Sequence, residues 1–270
     1  MNREELKSFL LARLADSVLS TEKESLVRIF MEDAYDQRKE SWSESDVKQA
    51  EADIDRIIGG YPIQYIVGKA YFYDRFFTVT EAVLIPRPET EELVALCIAS
   101  MQEEYALLDI GTGSGCIIAS VASKFPSSTC IGIDVSQEAC QLALENTQNL
   151  DNVDIKNIDF LDESAWDALG KIDFLVSNPP YIDRSEKTVM SESTINYEPD
   201  LALYPISHDP LVFYKKIAQY AQERMDKGAL VFLEINEFRS AETKALFSTC
   251  TSVEIVQDMQ GKDRILQVVV

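Results

Sequence analysis

Asn178, Pro179, Pro180 and Tyr181 follow directly on the apolar run 172–177, which groups an amide oxygen, a proline carbonyl and an aromatic ring at the end of a predicted buried strand. In a doubly wound α/β sheet the ligand crevice lies outside the carboxyl ends of the strands, so these four residues are expected to face a substrate. The side-chain oxygen of Asn178 and the carbonyl of Pro179 can each accept one N–H, and the Tyr181 ring can pack on the flat group that carries the nitrogen. The grouping suits a planar NH2, in an amide or an arylamine. All four are candidate substrate ligands, and Asn178, Pro179 and Tyr181 are the candidate catalytic residues.

A second grouping, Asp109-Ile110-Gly111-Thr112-Gly113-Ser114-Gly115, joins a predicted strand to a predicted helix. Glycines let the backbone approach a bound molecule and take dihedrals barred to other residues. Their even spacing departs from the G-x-G-x-x-G dinucleotide fingerprint, which disfavours a pyrophosphate cradle. The next strand ends at Asp134, placed to accept both hydroxyls of a ribose. An adenosine-containing cofactor without a diphosphate is implied, and S-adenosylmethionine meets that description. The candidate cofactor ligands are Gly111, Thr112, Gly113, Ser114, Gly115 and Asp134, with Asn178 at the border. The third strand ends at Asp159-Phe160, where a carboxylate could accept the adenine amino group; Phe160 reads equally as a wall of the adenine site or as core.

The elements that must position these residues follow from apolar patterning. From Arg3 to about Ile58, apolar residues such as Leu6, Phe9, Leu10, Leu14, Leu26, Ile29 and Phe30 recur at helical spacing. Ser20 and Thr21 ahead of Glu24, and Ser43 ahead of Asp46, read as helix starts, and Gly59 and Gly60 as the last stop. Residues 61–85 are rich in aromatic and β-branched types, with Asp74 and Arg75 as a turn, and predict a β-hairpin linker. Beyond them strands at 106–110, 129–133, 153–158, 172–176 and 229–235 alternate with helices at 89–103, 116–124, 137–146 and 211–227. Strands 253–259 and 264–270 form a closing antiparallel hairpin. The expected fold is a doubly wound, mostly parallel seven-stranded α/β sheet with a small N-terminal helical domain: 1–60 helical, 61–85 linker, 86–270 catalytic.

The 270 residues carry 25 Lys plus Arg against 46 Asp plus Glu, a formal net charge of -21. Such a field repels phosphate backbones, so a protein substrate fits better than nucleic acid. Five cysteines without C-x-x-C spacing read as small apolar fillers in a reducing compartment. A charged amino terminus and the lack of a membrane-length apolar stretch predict a cytoplasmic protein. With the single histidine, His208, expected on a surface loop, neither a His-based zinc site nor a Ser/His relay is available, and no metal is expected.

From about Gly60 onward the chain resembles the release-factor glutamine N5-methyltransferases. The resemblance rests on Ile85-Pro86-Arg87-Pro88-Glu89-Thr90, the glycine turn, Asn178-Pro179-Pro180-Tyr181-Ile182, Tyr197-Glu198-Pro199 and the segment Asp258-Met259-Gln260-Gly261-Lys262-Asp263-Arg264. It implies a class I methyltransferase that uses S-adenosylmethionine to methylate the glutamine side chain in the Gly-Gly-Gln loop of peptide-chain release factors. By position, Gly111 to Gly115 and Asp134 would hold the cofactor, Phe160 would flank its adenine, and Asn178 to Tyr181 would hold the glutamine. Arg87 and Glu89 would lie near the active-site mouth, or else form a salt bridge and a helix start after Pro88. The sequence departs from the family habit at 204–209, where a glycine-rich loop is usual, and at Asn236, where glycine is common.

Two other functions compete. The quartet could seat a flipped base, giving an adenine N6 or guanine N2 methyltransferase, but Arg184 and Lys187 are diluted by Asp183, Glu186 and Glu192. A catalytically idle binding module would not need an intact glycine turn, Asp134 and quartet together.

Overall fold

The computed structural model describes residues 1–14, 20–34, 41–101, 104–207 and 209–270; His208 lies outside them. Contacts divide the chain into two compact units, Met1–Lys69 with Ser191–Tyr197, and Ala70–Met190 with Glu198–Val270.

The first unit is helical. Helix Arg3–Arg13 starts on a capping box of Asn2 and Glu5, and helix Glu44–Ile58 on one of Ser43 and Asp46, which satisfies backbone N–H groups that a helix start leaves unpaired. Leu6, Leu10, Leu14, Val27, Phe30, Trp42, Ala50 and Ile54 bury their side chains together, the core that the helical spacing anticipates. Segment Phe30–Ala34 winds as a π-helix behind helix Ser20–Ile29. The unit runs past Gly60: a short helix, Ile63–Val67, stands where the sequence reads as the start of a hairpin, and Ile63 joins the same core. Tyr197 packs edge-on against Tyr61 at 5.0 Å and donates to the Gly59 carbonyl at 3.1 Å.

In the second unit the hairpin is confined to β1 (Lys69–Phe72) and β2 (Arg75–Thr78). Its turn falls on Tyr73 and Asp74, both with positive φ, one residue earlier than predicted. Seven strands then build one sheet: β3 (Ala106–Ile110), β4 (Thr129–Asp134), β5 (Val153–Asn157), β6 (Phe174–Ser177), β7 (Leu230–Glu234), β8 (Ser252–Gln257) and β9 (Asp263–Val269). The order is β5-β4-β3-β6-β7-β9-β8, parallel from β5 to β7, and β9 runs antiparallel to both β7 and β8.

Strand alternation explains why these runs are apolar throughout. Leu107, Phe174, Val176 and Phe232 pack on one face with helices Pro88–Ser100 and Cys116–Ala122. Leu108, Leu175, Val231 and Leu233 pack on the other with helix Val212–Arg224. A parallel sheet covered on both faces needs apolar residues at consecutive positions. Strand order reverses beside β3, between β4 and β6, and the crevice of a doubly wound sheet opens at such a reversal.

Candidate active site

Register brings the candidate residues to one edge. Ile110 pairs with Ile133 on one side and Ser177 on the other, and Ser177 pairs with Leu233, so Gly111, Asp134, Asn178 and Glu234 all stand at the carboxyl edge of the sheet. The Ser177 hydroxyl donates to the Ile110 carbonyl at 2.7 Å and ties β6 to β3 there. A cavity of about 400 Å³ opens over this edge, in the size range of small-molecule sites. Gly111, Thr112, Gly113, Ser114, Asp134, Phe160, Asn178, Pro179 and Pro180 line it; Gly115 and Tyr181, also anticipated from sequence, do not.

The glycine turn is built for close approach. Gly111 and Gly113 hold φ of +71° and +53°, and a Cβ placed on Gly111 meets no protein atom within 4 Å. That side of the turn is open space for a ligand. Gly115 serves packing instead: its Cβ would stand 3.2 Å from the Cβ of Ala143. Asp134 accepts from the backbone N–H groups of Gly113 at 3.0 Å and Ser136 at 2.9 Å, which holds its carboxylate at the cavity wall. Burial raises its pKa against those two bonds.

Beneath the turn lies Asp109, which the sequence shows only as the residue before the glycines. Strand alternation places it on the face of Leu107, fully buried. Oδ2 accepts from the Thr112 hydroxyl at 2.7 Å, while Oδ1 has no hydrogen-bond partner. Burial, and then the nearby charge of Asp134, push its pKa up to about 7 despite the Thr112 bond. The lining itself carries Glu81, Asp134, Glu138, Asp159 and Asp200 against Arg87. An acidic lining favours a cationic ligand and opposes a diphosphate.

At the quartet, the Asn178 amide nitrogen donates to Thr90 Oγ1 at 3.2 Å, and no described residue donates to its oxygen. Thr90 donates to Glu234 Oε2 at 2.6 Å. Tyr181 turns away from the cavity: its hydroxyl donates to Glu234 Oε1 at 3.0 Å, and its ring packs against the core. The stacking surface that the sequence suggested is therefore a hydrogen-bonding residue behind the site. A phenol whose hydroxyl has a buried carboxylate to meet gains more from that bond than from an open cavity. Thr90 and Glu234 escape a reading of sequence because they lie 144 residues apart.

Arg87 pairs with Glu198, whose second oxygen accepts the Ile85 N–H at 3.1 Å, so Glu198 ties down the Ile85-to-Thr90 segment. Glu89 takes the other expected place, in the first turn of the helix that Pro88 opens. Phe160 is a core residue with an edge on the cavity: it stacks on Trp166 at 5.6 Å and meets Tyr220 edge-on. Asn236 also acts structurally, its amide nitrogen donating to Glu186 at 3.1 Å and to the Tyr181 carbonyl at 3.4 Å.

S-adenosylmethionine fits these residues. Gly111 leaves open space on the cavity side of the turn, and the acidic lining, which includes Asp134, suits a positive charge. A family model described as the methyltransferase small domain matches residues 91–197. The solved methyltransferase from Pyrococcus furiosus covers 72% of the chain, and the chain 87% of it, at a TM-score of 0.50 and 18% identity, a likeness of fold. Fold, cavity and family model define a class I S-adenosylmethionine-dependent methyltransferase.

Relatives narrow the class. The release factor glutamine methyltransferase of Bacteroides thetaiotaomicron is 39% identical over 230 residues, 82% of this chain and 81% of that protein. That of Lactococcus lactis is 38% identical over 235 residues, 85% of each. The chain belongs to the release factor glutamine methyltransferase family.

Proposed function

We propose that this protein methylates the side-chain amide nitrogen, N5, of the glutamine in the Gly-Gly-Gln motif of peptide-chain release factors, acting in the cytoplasm. S-adenosylmethionine, when bound, supplies an electrophilic methyl carbon on a sulfonium. The protein's own task is to make an amide nitrogen a nucleophile, against the delocalisation of its lone pair into the carbonyl.

Asn178 Oδ1 and the Pro179 carbonyl each accept one N–H of the substrate amide, which returns electron density to nitrogen and aims its lone pair at the methyl carbon. Alignment of the two reactants is the other large contribution, worth on the order of 7–11 kcal/mol in well-oriented systems. No base is needed before transfer, because the nitrogen sheds its proton readily once alkylated. A neutral asparagine places no extra charge to be desolvated beside the sulfonium. The observation that carries this reading is the sense of the Asn178 amide, with nitrogen bonded to Thr90 and no donor to its oxygen among the described residues.

Charge favours a protein over a nucleic acid as substrate. Arg184 and Lys187, the cations beside the quartet in sequence, sit over the Tyr204 ring at 4.9 and 5.2 Å, and Arg184 is 3.9 Å from Asp200. Incubation with isotope-labelled S-adenosylmethionine and either a release factor or RNA tests the proposal. Label recovered as N5-methylglutamine supports it; label on adenine N6 or guanine N2 overturns it. The helical unit is proposed to grip the release factor away from the reacting glutamine.

A further inference from the structure

A side-chain amide has the same shape whichever way it is turned, yet one sense offers an acceptor and the other a donor. A methyl acceptor that approaches with two N–H groups needs the oxygen. Something in the protein must therefore choose the sense of Asn178.

The choice can be followed bond by bond. Glu234 closes β7 beside the end of β6, with both Glu234 and Thr90 3% exposed. A carboxylate only accepts. Its Oε1 takes the Tyr181 hydroxyl and its Oε2 the Thr90 hydroxyl, while the Tyr214 hydroxyl donates to the Glu234 backbone carbonyl at 2.9 Å and pins the strand end. Burial raises the Glu234 pKa; against it, the bonds from Thr90 and Tyr181, and then the charge of Arg264, which donates to Asp258 at 3.1 Å, favour the ionised form. Thr90 has one proton, and it is directed at Glu234. Toward Asn178 the Thr90 oxygen can then only accept, so Asn178 must offer its NH2 inward and its oxygen to the cavity.

We propose that Glu234, acting through Thr90, is the positioning residue that sets the amide sense of Asn178, so that oxygen faces the nitrogen to be methylated. The inference rests on the reading of Asn178 as acceptor for the substrate amide. The opposite sense would set the Asn178 oxygen against an oxygen that has no proton left to give, and would aim an NH2 at an NH2. Glu234 lies behind the cavity and touches neither reactant in this scheme, and Thr90, which lines the cavity, acts through its bond to Asn178.

Three substitutions separate this from simple support of the fold. Thr90→Val keeps the shape and removes the hydroxyl; it is expected to lower kcat at least tenfold, while the S-adenosylmethionine Kd and the release-factor KM stay within threefold. Thr90→Ser restores the hydroxyl and should recover most of that loss. Glu234→Gln puts an NH2 beside Thr90, freeing the Thr90 proton to meet the Asn178 oxygen, and should lower kcat at least fivefold. A second readout needs no substrate: hydrogen exchange of the Asn178 side-chain amide by NMR should show a protected proton in the wild type and Thr90→Ser, and its loss in Thr90→Val. Unchanged exchange in Thr90→Val, a kcat within twofold of wild type, or Thr90→Ser falling as far as Thr90→Val overturns the proposal. If the exchange pattern is as expected but the wild type methylates no release factor, the positioning role stands and the functional reading falls.

Discussion

The Thr112 hydroxyl donates to Asp109 at 2.7 Å, the only side chain among the described residues that does so, although the carboxyl is fully buried and its Oδ1 has no hydrogen-bond partner among them. One hydrogen bond does not replace the hydration that a carboxylate loses on burial, so Asp109 titrates near neutrality, at about 7.

That shift sets a stability prediction. The folded pKa lies above the ordinary 3.8, so folded protein holds the proton more tightly; the stabilisation is complete below pH 3.8 and is lost as pH rises through about 7. Asp109→Asn should therefore gain in melting temperature relative to the cofactor-free wild type as pH rises from 4 to 8. A difference independent of pH across thermal melts would refute it.

The same group should couple cofactor binding to pH. A cation in the cavity favours the ionised forms of Asp134, which lines it, and of Asp109, buried beneath the glycine turn, so S-adenosylmethionine affinity is expected to rise with pH up to about 7 and then level off. One proton released limits the slope to about tenfold per pH unit. Calorimetric titration at pH 6, 7 and 8 should show this in the wild type and a flat, weaker profile in Asp109→Asn.

Two glycines with similar φ should respond differently to alanine. Gly111, at +71°, faces the cavity, and Gly261, at +78°, sits in the turn between β8 and β9; a Cβ on either meets no protein atom. Both substitutions carry a backbone cost of about 1 kcal/mol. Only Gly111→Ala puts a methyl group into ligand space, so its S-adenosylmethionine Kd should rise at least tenfold while that of Gly261→Ala stays within twofold.

Asn178→Ala should lower kcat by about 10²–10³, the usual cost of losing one preorganised hydrogen-bonding group, with cofactor affinity changed much less. Asn178→Asp is expected to be as inactive, because a carboxylate has no proton to offer Thr90. Equal losses of rate and of cofactor affinity would remove Asn178 from its assigned role.

Removing the helical unit tests recognition at a distance. A cut at Gly60 would strip Ile63 of the core it shares with Leu6, Leu10 and Ile54, so the deletion is better made through Lys69. kcat/KM should fall more than tenfold on intact release factor and less than threefold on a short Gly-Gly-Gln peptide, since remote binding energy is available only from the whole substrate. Equal losses on both would discard a recognition role.

Much of this molecule was legible in one dimension because the physics that shapes it is local. Seven short apolar runs separated by helical patterns are strands wherever the chain folds, and each anticipated strand is present within two residues at either end. Short helices such as Ile63–Val67, Glu192–Tyr197 and Asp200–Leu203 were not legible, since four to six residues span too few turns to display a period. The glycine turn, Asp134 and Asn178 to Pro180, which line one cavity, could be picked out as candidates because each lies at a strand end.

The sequence by itself determined the sheet and the cofactor class, and it singled out Asn178 as the side chain proposed to meet the substrate nitrogen. Only the tertiary structure decided which atom of that side chain faces outward. Asn178 acquires its sense from Thr90 on a helix start and Glu234 on another strand, and it moves Tyr181 from the cavity wall to the network behind it. Hydrogen-bond direction depends on which donor meets which acceptor in space, and residues 88 and 144 positions apart meet only once the chain has folded.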